Sequence, residues 1–149
     1  MNCEICGKPI GGNPNKIRFA SWILECCDEC YSINMFNKGV TYKNNKKFDL
    51  AILYFKKSIE YKHYAFEDAL IELDKCYLKY GNEYANNKNY EKAIELYDKS
   101  LGLYPDSYIT LYNKAKALYL NNQKKKALNL FKHIIKLYPE NTKIPKHIE

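Results

Sequence analysis

Tyr77-x-x-Tyr80-Gly81-x-x-Tyr84, followed by Ala93, Tyr97 and Pro105, returns 34 residues later as Leu111-x-x-Lys114-Ala115-x-x-Leu118, followed by Ala127, Phe131 and Pro139. Each copy sets apolar residues at helical spacing on both sides of a polar break, so each describes two helices folded back on one another. Gly81 stands in mid-helix, where glycine costs about 1 kcal/mol relative to alanine. A bare backbone there implies close approach of the partner helix, expected to cross at Ala93, with Tyr84, Tyr97 and Leu101 filling the space beside it. Asn87-Lys88-Asn89 supplies the turn, and Pro105 and Pro139 stop the second helices because proline lacks an N–H and has a fixed φ.

Upstream, Ile33, Phe36, Val40 and Tyr42, then Phe48, Ala51, Ile52, Phe55 and Ile59, give two further apolar faces around a turn at Asn44-Asn45-Lys46. Gly39 takes the small position of this first copy, Tyr42 the aromatic one, and Ala51 and Phe55 those of its second helix. Ala51 precedes Ala93 by 42 residues, whereas Ala93 precedes Ala127 by 34, so eight residues are inserted after the first copy. Eight residues are about two helical turns. The insert around His63-Tyr64-Ala65-Phe66-Glu67-Asp68 has neither Gly nor Pro, and is expected to lengthen both flanking helices by about a turn each.

This pattern resembles the tetratricopeptide repeat. The resemblance implies an all-α fold of three helical hairpins in a right-handed solenoid across 32–139, at about 32–65, 74–107 and 108–141, with 140–149 as a tail. It also implies a scaffold that binds other molecules rather than an enzyme. In this family the first helix of each hairpin lines a concave surface. Carried over, that places Phe36, Asn37, Lys43, Asn44, Lys75, Lys79, Asn82, Asn86, Tyr112, Asn113 and Lys116 along a groove. Such a surface suits an extended acidic peptide: ammonium groups hold carboxylates while Asn amides pair with peptide backbone. Some members grip a C-terminal carboxylate with Lys, Asn and Arg. Here the matching positions are Phe36, Val40, Lys79, Ile109 and Asn113, so that clamp is absent.

Residues 1–31 have a different character. Five of the six cysteines lie there, and Cys3-x-x-Cys6 and Cys27-x-x-Cys30 are separated by 20 residues. Paired C-x-x-C units at such an interval can converge four thiolates as a tetrahedron, which points to zinc, with iron less favoured. Cys6-Gly7-Lys8 resembles a zinc knuckle. The second pair opens the first repeat helix, as in a treble-clef arrangement, where the helix dipole favours thiolate charge. Cys27 rather than Cys26 gives the two-residue spacing to Cys30, and Cys76 on a repeat helix reads as core. Four thiolates close the site, so the metal is expected to be structural and the unit a cap fused to the first helix, with a strand-like run at Ile17-Arg18-Phe19-Ala20.

The 24 Lys+Arg exceed the 17 Asp+Glu by seven, and Arg18 is the only arginine. Acidic partners are therefore expected, while bidentate reading of guanine is not. A second reading gives nucleic acid to the zinc segment through Lys8, Lys16, Arg18, Phe19 and Trp22. With Tyr119, Leu120 and Phe131 in the last hairpin, self-association through that repeat is a third expectation. No run approaches the ~20 apolar residues of a membrane span, and the N-terminus has no secretory pattern, so no membrane partner and a cytoplasmic location are expected. His63, His133 and His147 are scattered, no catalytic grouping stands out, and Glu67, Asp68 and Glu72 read as a solvated helix face.

Overall fold

The computed structural model describes residues 1–12, 14–18, 23–61 and 66–140. Among them are a two-stranded hairpin, β1 (Asn15–Arg18) and β2 (Ile23–Cys26), and six helices: α1 (Asp28–Asn44), α2 (Phe48–Glu60), α3 (Phe66–Asn86), α4 (Tyr90–Leu103), α5 (Tyr108–Leu120) and α6 (Lys124–Leu137). The chain divides into two compact units, Met1–Cys76 and Tyr77–Glu149, and the division falls within α3.

In the first unit β1 and β2 pair antiparallel, Asn15 opposite Cys26 and Ile17 opposite Leu24. Ile17, Cys26 and Cys3 are buried together, with Ile10, Cys27, Cys30 and Tyr31 around them. So small a core cannot hold a fold by apolar burial alone. Three polar contacts tie it to the helices: Asn15 Nδ2 donates to Asp28 Oδ1 at 2.5 Å, the Tyr61 hydroxyl donates to Asn15 Oδ1 at 3.0 Å, and Lys8 pairs with Glu29 at 2.6 Å. Tyr31 and Tyr61 meet edge to face at 5.0 Å. α1 packs on α2, and the buried Ser32 and Ser58 each donate to the other's carbonyl, at 3.0 and 2.9 Å, so neither hydroxyl is left unpaired in the interface.

The second unit repeats this design. Ala93, Tyr97 and Ala117 form one buried group, and Leu111, Ala115, Leu118, Ala127, Phe131 and Ile134 form another. Each hairpin turns through one residue in the left-handed region, Lys46 (φ 57), Lys88 (φ 62) and Asn122 (φ 60). The following N–H reaches back to close the preceding helix: Lys47 to Tyr42, Asn89 to Tyr84 and Gln123 to Leu118, at 2.9, 2.8 and 2.9 Å. These are Schellman closures, and they recur at the same 42- and 34-residue intervals as the alanines.

Two expectations are corrected here. A Cβ on Gly81 would lie 2.7 Å from Cε1 of Tyr97, and one on Gly39 would lie 2.6 Å from Cε1 of Phe55. The close approach is therefore to an aromatic ring four residues past the alanine, not to Ala93, and the third copy has Ala115 and Phe131 in the same roles. Nor do both helices beside the insert grow. α2 has 13 residues, no more than α4 or α6 with 14, while α3 has 21. Gly81 lies fifteen residues into α3, but Ala115 only seven into α5, so the extra length is N-terminal on α3. Phe66-Glu67-Asp68 opens that helix and its acids suit the positive end of the helix dipole; His63, Tyr64 and Ala65 lie outside the described residues.

Candidate functional site

The N-terminal segment gathers the four cysteines singled out by spacing. The sulfurs of Cys3, Cys6, Cys27 and Cys30 all lie within 4.8 Å of one another, and those of Cys6 and Cys27 are 3.7 Å apart. A tetrahedron of thiolates at a zinc–sulfur distance of about 2.3 Å requires sulfur–sulfur separations of about 3.8 Å, so the donor set and its spacing fit such an ion. Gly7 makes the first turn possible. Its φ of +74° lies in the left-handed region, and its N–H donates to the Cys3 carbonyl at 2.8 Å. Cys27 caps α1 and Cys30 lies in its first turn, as a ligand pair at a helix N-terminus requires.

The four thiols influence one another's ionisation. Burial opposes ionisation of Cys3, yet backbone amides of Cys27, Cys6 and Ile5 lower its thiol from 9.0 to about 6. Cys6 gains from the Lys8 amide, but burial and the neighbouring Cys3 raise it, and burial followed by the other thiols raises Cys30. Ionisation of one thiol therefore opposes that of its neighbours, an opposition that a cation among the four sulfurs would relieve. Cys26 stands apart: fully buried on β2, it is pushed up to about 11 by burial and then by the charges of Cys3 and Cys27, and it lies outside the four-sulfur group. None of the six cysteines is in a disulfide.

The groove residues separate on inspection. Phe36 packs on Phe55 with ring centroids 5.8 Å apart, and Tyr112 stacks on Tyr108 and meets Phe131 edge-on, so both serve packing. Lys43 is half-buried and paired with Glu72, which also holds Lys75 at 2.8 Å. Glu72 therefore is not part of a solvated face; burial raises its pKa, but the two lysines outweigh burial and lower it. Asn37, Asn44 and Lys79 are exposed.

Asn82, Asn86, Asn113 and Lys116 instead come together in the second unit. They line one cavity of about 490 Å³ between α3, α4 and α5, with Lys88, Tyr90 and Tyr97. Asn82 is the centre of its polar wall. Its Oδ1 accepts from the Tyr97 hydroxyl at 2.7 Å and from Asn113 Nδ2 at 3.0 Å. In this arrangement the amide oxygen is turned to both partners, so that neither Tyr97 nor Asn113 engages Nδ2. Burial pushes Tyr97 up to about 12, so its hydroxyl stays a donor. Sequence reading took Tyr97 as filler only. The signal was present: the other copies have Phe55 and Phe131 there, and the lone hydroxyl needed a partner.

For the nucleic-acid reading, Phe19 and Trp22 lie outside the described residues, and Lys8 is engaged with Glu29. In the last hairpin Phe131 is buried, whereas Tyr119 and Leu120 are exposed. His147 lies outside the described residues and His133 is on the surface of α6. No helix among the described residues is long and apolar enough to cross a membrane.

Two tetratricopeptide-repeat family models match, over residues 32–62 and 84–144. The chain carries tetratricopeptide repeats in both stretches, as the 34-residue pattern anticipates. No curated protein matches it in sequence. Solved structures similar to it include the Arabidopsis OM64 TPR domain, 16% identical, covering 77% of this chain and 88% of that one at a TM-score of 0.43. The first TPR of Spaghetti (RPAP3), bound to an HSP90 peptide, is 17% identical over 76% of this chain and 84% of that one, with a TM-score of 0.46. Aspartyl phosphate phosphatase F from Bacillus subtilis is 22% identical over 73% of this chain but only 30% of its own length, with a TM-score of 0.45. These likenesses are remote, and none bears on the ligand of this chain.

Proposed function

We propose that the protein is a non-enzymatic, cytoplasmic adaptor whose repeats hold a segment of a partner protein, with a zinc-bound N-terminal unit as a structural cap. The observation that carries the reading is the Asn82 amide, held by Tyr97 and Asn113 in the cavity that Lys116 also lines. An amide presenting two N–H groups can pair with the carbonyls of an extended chain, and the exposed Lys116 ammonium favours a carboxylate nearby. Asn86 and Lys79 extend the polar surface along α3, whereas Lys43 and Lys75 are held by Glu72 and contribute less. The partner is therefore an acidic peptide read by backbone and charge together.

Cys3, Cys6, Cys27 and Cys30 would hold the ion. It would join the two turns and the start of α1, giving a thirty-residue segment the stability that its small apolar core lacks. With all four positions occupied by protein sulfur, no position remains for substrate. Iron and a nucleic-acid role for this segment are the weaker alternatives.

Selection from a displayed library of random peptides tests the reading. Peptides enriched in Asp and Glu should be recovered by the native protein and lost with Asn82→Ala combined with Lys116→Glu. Recovery of the same peptides by that folded double variant would place binding elsewhere.

A further inference from the structure

The net charge is concentrated on one helix. α6 carries Lys124, Lys125, Lys126, Lys132 and Lys136 and no acid, so removing these five from the 24 basic residues leaves 19 against 17 acids. All five are exposed. Lys124 lies over the Tyr119 ring and Lys126 bonds Gln123, but Lys125, Lys132 and Lys136 have no acidic partner among the described residues. These three recur at seven and four residues, which places them in one row along the helix. At 1.5 Å per residue the row is about 16 Å long. The sequence beyond Pro139 brings Lys143 and Lys146 against Glu140 and Glu149, so it supplies no net negative charge.

We infer that the outer face of α6 is a docking surface for the phosphate backbone of duplex nucleic acid, separate from the peptide cavity. A straight row of ammonium groups suits a stiff linear polyanion, because lysine acts as a point charge and releases counterions from phosphates without reading bases. Other polyanions fit less well. Ala127, Phe131 and Ile134, the apolar face of α6, are spent in the hairpin core, and the exposed Ile135 and Leu137 lie on opposite flanks of the helix, so they form no single face to insert in a bilayer. The one exposed aromatic ring of α6 is the His133 imidazole beside the row, and a single ring gives no run of platforms for single-stranded bases. None of the three lysines lines the cavity between α3, α4 and α5, or the one of about 480 Å³ that Lys126, Asn129 and His133 border with α4 and α5, so a peptide held by the row would lie outside both. This surface also differs from the zinc segment that sequence alone suggested for nucleic acid.

The test is fluorescence anisotropy of the full chain with a labelled mixed-sequence 20-base-pair DNA duplex as salt is raised from about 50 to 200 mM. With three phosphates neutralised, log affinity should fall against log salt with a slope of about −2.7, and sequence should matter little. Lys125→Glu, Lys132→Glu and Lys136→Glu together should weaken binding at least tenfold and flatten that slope, while Lys79→Glu with Lys116→Glu should not. Circular dichroism checks folding, and the corresponding glutamine variants replace the glutamates if the triple variant is unfolded. Equal binding by wild type and triple variant would overturn the inference. So would tighter binding, at equal salt, to phosphatidylserine vesicles or to polyglutamate, which would give the row to a membrane or an acidic protein.

Discussion

The Tyr97 hydroxyl donates to Asn82 Oδ1 across 2.7 Å, joining the second helix of one hairpin to the polar face of its first. The ring that fills the space above Gly81 thereby also bonds the Asn82 amide, which lines the cavity with Asn113 and Lys116. Tyr97→Phe keeps the ring and removes the bond. A net intramolecular hydrogen bond is worth about 1 kcal/mol, and urea unfolding should show a loss of that size. Affinity for an acidic peptide should fall as well, since Asn113 alone would then hold the amide. Unchanged affinity would mean that the amide is not the reading group.

Gly81→Ala opposes two effects of known sign. Alanine gains about 1 kcal/mol in helix propensity. Its Cβ would meet Tyr97 at 2.7 and 3.0 Å, with the ring buried and unable to move freely, and overpacking of this kind costs about 1–3 kcal/mol. The expected outcome is a net loss of about 1 kcal/mol and a lower melting temperature. Gly102→Ala, with nothing within 4 Å of the added Cβ, should show the propensity gain by itself.

How far the chain could be read in advance follows from which residues repeat. The hairpins were legible because Ala51, Ala93 and Ala127 sit where only a small side chain fits, and Phe55, Tyr97 and Phe131 recur four residues on. The turns were not. Lys46, Lys88 and Asn122 adopt φ near +60°, a geometry for which glycine is the usual mark, and none is glycine. The four metal-ligand candidates were legible from spacing, since two C-x-x-C units admit few arrangements. The groove was only half legible: helical periodicity tells which face a lysine occupies, but not that Glu72 on a neighbouring helix engages Lys43. The Ser32–Ser58 pair was hidden for the same reason, its partners being 26 residues apart.

Glu72 gives the clearest dependence on pH. Its folded pKa is lowered because two lysines outweigh the cost of burial, so its contribution is present above the unfolded value of about 4.3 and is lost as pH falls through the folded value. Glu72→Gln should therefore cost about 1–2 kcal/mol at pH 7, since solvent screens the partly exposed pairs that the carboxylate makes. The stabilities of wild type and variant should draw together as pH falls below the unfolded value and meet once it is below the folded one. Parallel curves over the whole range would show that the carboxylate charge does not matter.

Cys6→Ser and Cys26→Ser separate ligation from packing. The Cys6 sulfur belongs to the four-sulfur group and is solvent-exposed, so its loss removes a donor while sparing the apolar core. Zinc content measured by mass spectrometry should fall from one ion per chain to well below one, and a chelator should destabilise wild type but have little effect on this variant. Cys26 is fully buried beside Ile17 and outside the group. Serine there should leave zinc content at one while lowering the melting temperature, because a hydroxyl would enter an apolar pocket without an assured partner. Loss of metal from the Cys26 variant with retention in the Cys6 variant would exchange their roles, and would require β2 to deliver its last residue to the ion instead of to the core.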